Sequence, residues 1–177
     1  MGNRGIFQQI QAGELEAVRA LVLAEPTLAN ARDKRRATPL MEAVRSSSRT
    51  LTMVELLLGA GADADARDEV GMSALHWAID INGPSADFPP ICERLVAAGA
   101  SLEAEGQWGW TPLMRAVISG TAEEVRALLR AGANPEVRFS TGTMPEFARG
   151  MSLLEATTSM PIYRAIEAAI ATRRARR

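Results

Sequence analysis

His76 and Cys92 are the only histidine and the only cysteine among 177 residues. A catalytic or metal-binding role for either needs partners of its own kind, and no second imidazole or thiol is available. Cys92 can form no intrachain disulfide; directly after Ile91, it is expected to be a small buried hydrophobe. The acidic groups gather at DADARDE (Asp63, Asp65, Asp68, Glu69) and EAE (Glu103, Glu105). Their spacing is distantly like a calcium loop, but the glycine and closing glutamate of such a loop are misplaced. Asp and Asn are also what turns and helix caps use, and that is the role expected of them. No HExxH, GxSxG, P-loop or GxGxxG occurs, and nothing recommends a paired-carboxylate hydrolase. The basic runs are RDKRR (Arg32 to Arg36) and the terminal RRARR. An arginine tail after a helix complements the helix dipole, and no aromatics are interleaved with it as a single-strand platform would need.

The composition agrees with this lack of reaction chemistry. Hydrophobic residues make up 47% and charged residues 23%, with a formal net charge of −1, so nothing in the overall balance asks for nucleic acid or an anionic membrane. Aromatics are only 5%, and alanine and leucine lead the apolar residues, which suits thin, close-packed helices. Lys34 is the only lysine, a bias expected of a GC-rich, bacterial genome. The N-terminal stretch lacks a signal-peptide core, Ile6 stands where myristoylation needs Ser or Thr, and no apolar run reaches membrane-spanning length. A cytoplasmic protein is expected, with no cofactor and no membrane, and a monomer by itself.

The elements that position these residues repeat. ATPLMEAV, MSALHWAI and WTPLMRAV begin at Ala37, Met72 and Trp110; VELLLGAGAD, CERLVAAGAS and VRALLRAGAN begin at Val54, Cys92 and Val125. Gly61 precedes Ser73 by 12 residues, Gly99 precedes Thr111 by 12, and Gly99 precedes Gly132 by 33. A fixed period in this range signals stacked repeats. Thr or Ser caps a first helix, with Pro39 and Pro112 at its first position; small Ala43, Ala78 and Ala116 allow close helix approach. The second helix carries a leucine stripe and ends at Gly61, Gly99 or Gly132, suited to a left-handed C-terminal position.

DEVGMSALHWA from Asp68 and LLLGAGADADARD from Leu56 closely resemble the ankyrin-repeat pattern, over about residues 4–172. The resemblance implies an all-α solenoid of about five helix-turn-helix units joined by β-turn fingers, with units at about 4–34, 35–68, 69–106, 107–140 and 141–172 and a basic tail at 173–177. The outer two units depart from the pattern and are expected to act as caps. Arg36 replaces the turn glycine of the second unit. DINGPSADFPP lengthens the third unit, Pro89-Pro90 restarting its second helix, and NPEVRFSTGTMPEFARG lengthens the connection to the last; such long loops are where function accumulates. The family uses the His76 position for hydrogen bonds between neighbouring turns.

Partners of this family generally dock on the concave face formed by fingertips and inner helices. Trp108 and Trp110 fall on fingertip positions, equivalent to Val70 and Met72 in the preceding unit and to Arg35 and Ala37 before that. Trp77 falls on the inner helix facing the same groove. The expected partner-binding residues are therefore Trp77, Trp108, Trp110, Met72, Val70 and Ile118, with Arg35, Arg45 and Arg115 as a basic flank, since exposed tryptophan is a leading interface residue. A partner protein with an acidic region beside an apolar ridge would match. The rivals are an enzyme with a site in the insertion loops and a nucleic-acid binder through the arginine runs.

Overall fold

The computed structural model describes residues 2–46, 50–79, 87–137 and 160–176. Most of both insertions (80–86 and 138–150), and the expected first helix of the last unit, lie outside these residues. Among the described residues the regular structure is entirely helical: α1 Gly2–Ala12, α2 Leu15–Ala24, α3 Pro39–Arg45, α4 Leu51–Gly59, α5 Ala74–Ala78, α6 Phe88–Ala97, α7 Pro112–Ser119, α8 Ala122–Ala131 and α9 Met160–Ala175, with short 3-10 turns at Pro26–Asn30 and Gln107–Gly109.

The helices pack as antiparallel pairs, α1 with α2, α3 with α4, α5 with α6 and α7 with α8. Pair stacks on pair, giving an inner row α1–α3–α5–α7 and an outer row α2–α4–α6–α8–α9. No pair can bury its apolar face alone, so stability comes from the stacking. The repeat register shows why it works. Leu40, Leu75 and Leu113 hold one equivalent inner position, and Ala43, Ala78 and Ala116 another; all are at most 1% exposed. On the outer helices Leu57, Leu95 and Leu128 are fully buried, as are Val54, Cys92 and Val125. Cys92 thus stands where its neighbours place valine, each such side chain contributing roughly 1.5–3 kcal/mol by burial.

Local chemistry starts and stops each helix as the sequence implies. Thr38, Thr50, Thr111 and Thr121 cap α3, α4, α7 and α8, each hydroxyl accepting from the backbone N–H three residues on. Glu124 closes a reciprocal box by accepting from Thr121 N at 2.6 Å. α4, α6 and α8 end at Gly61, Gly99 and Gly132, all with left-handed φ (84°, 97° and 106°). The following N–H groups of Ala62, Ala100 and Ala133 each donate 3.0 Å to Leu57, Leu95 and Leu128, closing the last turn. Pro89 and Pro90 sit in the first turn of α6, directly after fully buried Phe88.

The acidic clusters act as links between units. Asn30 accepts from Asp63 N, Asp65 from Ser101 N and Glu103 from Asn134 N, three bonds at nearly one repeat's separation. Arg32 of the basic run donates to the carbonyls of Arg36 and Arg67, both at 2.7 Å, which ties two fingers together.

Candidate partner-binding face

Three fingers precede α3, α5 and α7, and they can be compared position by position. In the first, Asp33 Oδ1 accepts from the N–H of Arg35 and of Ala37; in the second, Asp68 Oδ1 accepts from Val70 and Met72. Each carboxylate thereby holds the backbone of its own turn. The left-handed residue that follows is Arg36 (φ 60°) in the first finger and Gly71 (φ 84°) in the second.

The third finger departs from this plan. Gly106 stands where the others have Asp, because a Cβ there would meet His76 Nε2 at 3.0 Å and Met72 Cγ at 3.1 Å. The turn closes by backbone alone, Gly106 N donating to Trp110 O at 2.9 Å and Gly109 N to Gly106 O at 2.9 Å. Two successive residues are left-handed, Trp108 (φ 63°) and Gly109 (φ 71°). For glycine this carries little strain, but for a tryptophan it costs roughly 1–2 kcal/mol. Such strain persists where surrounding structure imposes it, and it clusters at functional sites. What the conformation achieves is display: Trp108 is 42% exposed, with its ring centroid 5.0 Å from that of Trp110.

The tip positions Arg35, Val70 and Trp108 are all exposed. The positions directly before the capping Thr or Ser behave differently. Met72 was expected to point outward and is buried, as is its equivalent Ala37. The cause is stacking: the Met72 side chain lies beneath Gly106 of the next finger. Trp110 is half-buried and packs against the core. Met72 therefore forms the floor of the finger row and offers no surface to a partner.

The inner helices complete the face. Glu42, Trp77 and Arg115 occupy the same repeat position on α3, α5 and α7. Trp77 is half-buried, its Nε1 donates to Asp68 Oδ2 at 3.0 Å, and the guanidiniums of Arg35 and Arg45 each lie 5.2 Å from its ring centroid. Arg45 is also held by buried Glu42, at 2.8 Å and 3.0 Å, and Gln11 donates to the same carboxylate. Trp77 therefore acts as a platform that orients two cations, and less as a bare apolar contact. Glu42 and Gln11 escaped the sequence reading, and Asp68 was expected only as a turn residue, not as the acceptor for Trp77. The signals for Glu42 were its i,i+3 spacing to Arg45 and the repeat register that aligns it with Trp77. Arg115 is half-buried and its Nε has no hydrogen-bond partner among the described residues. Burial holds its guanidinium below the ordinary value, opposed by Glu124. Ile118, one turn along α7, is 44% exposed.

His76 sits directly behind this face. Ser73 N can only donate, so Nδ1 is the acceptor at 3.1 Å and the proton lies on Nε2, which donates to Trp110 O at 2.8 Å. Burial pulls its pKa from 6.5 down to about 4, with the Trp110 bond opposing and Arg115 and Arg67 adding to the fall. Cys92 is buried, and desolvation pushes its thiol up to about 12. Both groups are thus held in neutral forms as packing and hydrogen-bonding elements. Among the described residues no group of three or more His, Cys, Asp or Glu is placed to hold a metal.

A family model of ankyrin repeats matches residues 6–86 and 46–139, in three copies. The chain belongs to the ankyrin-repeat family. Its relatives include the B-cell lymphoma 3 protein homolog of Mus musculus, 34% identical over 111 residues, which covers 62% of this chain and 24% of that protein. A putative ankyrin repeat protein of Acanthamoeba polyphaga mimivirus is 36% identical over 88 residues, 49% of this chain and 11% of that protein. The 2-5A-dependent ribonuclease of Mus musculus is 40% identical over 60 residues, 33% of this chain and 8% of that protein. The chain thus spans no more than a quarter of the length of these relatives. Ankyrin repeats generally serve as protein–protein interaction modules, and the inter-unit bond from His76 to Trp110 is the one the family resemblance implied. No helix among the described residues is long and apolar enough to cross a membrane.

Proposed function

We propose that this chain is a non-enzymatic ankyrin module, one domain over 1–177, that binds a partner protein through the face formed by its fingertips and inner helices. The contact residues are Trp108, Val70 and Ile118 as an apolar ridge with Trp110 beneath, and Arg35 and Arg45, oriented by Trp77, as a basic flank. Arg115, whose buried Nε lacks an acceptor among the described residues, supplies a donor at the groove floor. The matching partner carries an acidic region beside an apolar ridge, with charge speeding encounter more than adding affinity. The setting proposed is the reducing cytoplasm of a bacterium, and the role that of an adaptor or an inhibitor of another protein, such as a toxin.

One observation carries this reading: Trp108 is held exposed in a strained left-handed conformation, in a turn closed by backbone bonds of Gly106 and Gly109. The test is affinity capture from native lysate with wild type and with Trp108→Ala/Val70→Ser, folding being checked by circular dichroism. The reading expects a protein retained by the wild type and lost from the folded variant; equal retention by both would place the interface elsewhere.

A further inference from the structure

Beyond the fingertip face, the outer row of helices has a second surface with its own chemistry. A cleft of about 670 Å³ runs between α8 and α9. Its floor is made of small apolar groups, among them Leu129, Ala133 and Ala165, and its rim carries Arg126, Arg130, Arg173 and Arg176. A smaller hollow of about 460 Å³ continues it past Arg164 and Pro161.

Three of the four rim arginines, Arg126, Arg130 and Arg173, are paired with carboxylates, and the rim as a whole is under-neutralised. Glu123 holds Arg126 and Arg130, each at 3.0 Å, and their guanidiniums hold its carboxyl below the usual range. Glu136 faces Arg173 at 3.9 Å and Arg174 at 3.7 Å. Around this cleft, then, five guanidiniums meet two carboxylates, and the surplus is positive. Pre-oriented arginines over an apolar floor complement a ligand with an apolar stripe and flanking carboxylates.

We propose that the α8–α9 cleft is a second docking site, which takes an acidic amphipathic helix of a partner protein. Small floor residues let a helix backbone come close, and its apolar stripe lies on Leu129, Ala133 and Ala165 in helix-in-groove fashion. Glu or Asp on its flanks meets the arginine rim. A peptide binding by strand addition would need a strand edge, and the described residues contain no strand. Single-stranded nucleic acid would need aromatic stacking platforms, and no aromatic residue lines the cleft among the described residues. A second copy docked symmetrically, cleft to cleft, would bring α8 or α9, and those helices bring their own arginines.

The test uses a fluorescein-labelled 18-residue designed peptide, helical, with leucines on one face and glutamates on both flanks. Fluorescence anisotropy is read at low and high salt against the full chain and against Arg130→Ala/Arg173→Ala, Leu129→Lys and Trp108→Ala. The proposal expects saturable binding that weakens at high salt and falls about tenfold in the double arginine variant, which removes two of the rim guanidiniums. Leu129→Lys should also weaken binding, and Trp108→Ala should leave it unchanged. A matched peptide with lysine flanks should not bind. Equal binding of both peptides, no saturable binding, or loss on Trp108→Ala with the arginine variant unaffected would each overturn it. So would binding of single-stranded DNA more tightly than the peptide, or peptide binding abolished by self-association of the chain. Loss of the lysate partner in the fingertip variant bears only on the other face, so the two failures are distinguishable.

Discussion

The buried imidazole of His76 makes stability depend on pH in a defined window. In the folded chain its Nδ1 accepts from Ser73 N and its pKa is about 4, against 6.5 for an unperturbed group. Protonating Nδ1 removes that acceptor and puts a charge in the core beside the Trp110 carbonyl. The unfolded chain therefore binds the proton more readily, and stability rises with pH through the window. This contribution is fully present above about pH 6.5 and is lost as pH falls towards 4. Between pH 7 and 5 the loss is about 2 kcal/mol, and it approaches about 3 kcal/mol at pH 4, at 1.36 kcal/mol per pH unit. The assay is urea unfolding at half-unit pH intervals, in wild type and in His76→Gln, whose curve should be flatter by that amount over the same window. Because His76 is the sole histidine, its ring-proton NMR signal needs no assignment and gives the folded pKa directly. A titration midpoint at 6 or above, or parallel stability curves for the two proteins, would refute the reasoning.

Other outcomes follow from the fingers and the core. Trp108→Gly should change unfolding stability by less than about 1 kcal/mol, because relief of the left-handed strain offsets loss of the Trp110 contact; a loss above about 2 kcal/mol in urea unfolding would mean the fold itself needs Trp108. Gly106→Asp restores the residue type of the other two fingers yet should destabilise by about 1–3 kcal/mol, since its Cβ meets His76 and Met72; a thermal midpoint equal to or above wild type would contradict the account. Cys92 should react with a disulfide reagent only as fast as the chain unfolds, given its burial and raised pKa, and rapid labelling without denaturant would count against it. Gly132→Ala should cost about 1 kcal/mol because φ there is 106°, measured by the same unfolding assay.

How much of this was legible depends on what repeats. The helix pairs, their threonine caps and their left-handed glycines recur at fixed spacing, so the sequence carried them directly, and His76 and Cys92 followed from the same register. The face was only partly legible. Val70, Trp108, Ile118, Arg35 and Arg45 are exposed as expected, but Met72 is covered because Gly106 brings the next finger down onto it, and a one-finger view of the turn cannot show that. Trp77 lies in the groove region as expected, yet what it does is set by Asp68, Arg35 and Arg45, which come from two neighbouring fingers and a neighbouring helix. The α8–α9 cleft left no motif at all, because its arginines come from separate helices and only folding brings them to one rim.

Site-specific photo-crosslinking tests the central claim most directly. A benzophenone amino acid is placed at Val70 on the fingertip row or at Leu23 on α2, which is 75% exposed, and the protein is irradiated in its native lysate. The account predicts one dominant covalent adduct to a partner protein from position 70, lost when Trp108→Ala is added, and none from position 23. Adducts of the same mass from both positions, or from position 23 alone, would contradict a partner docked on the fingertip face.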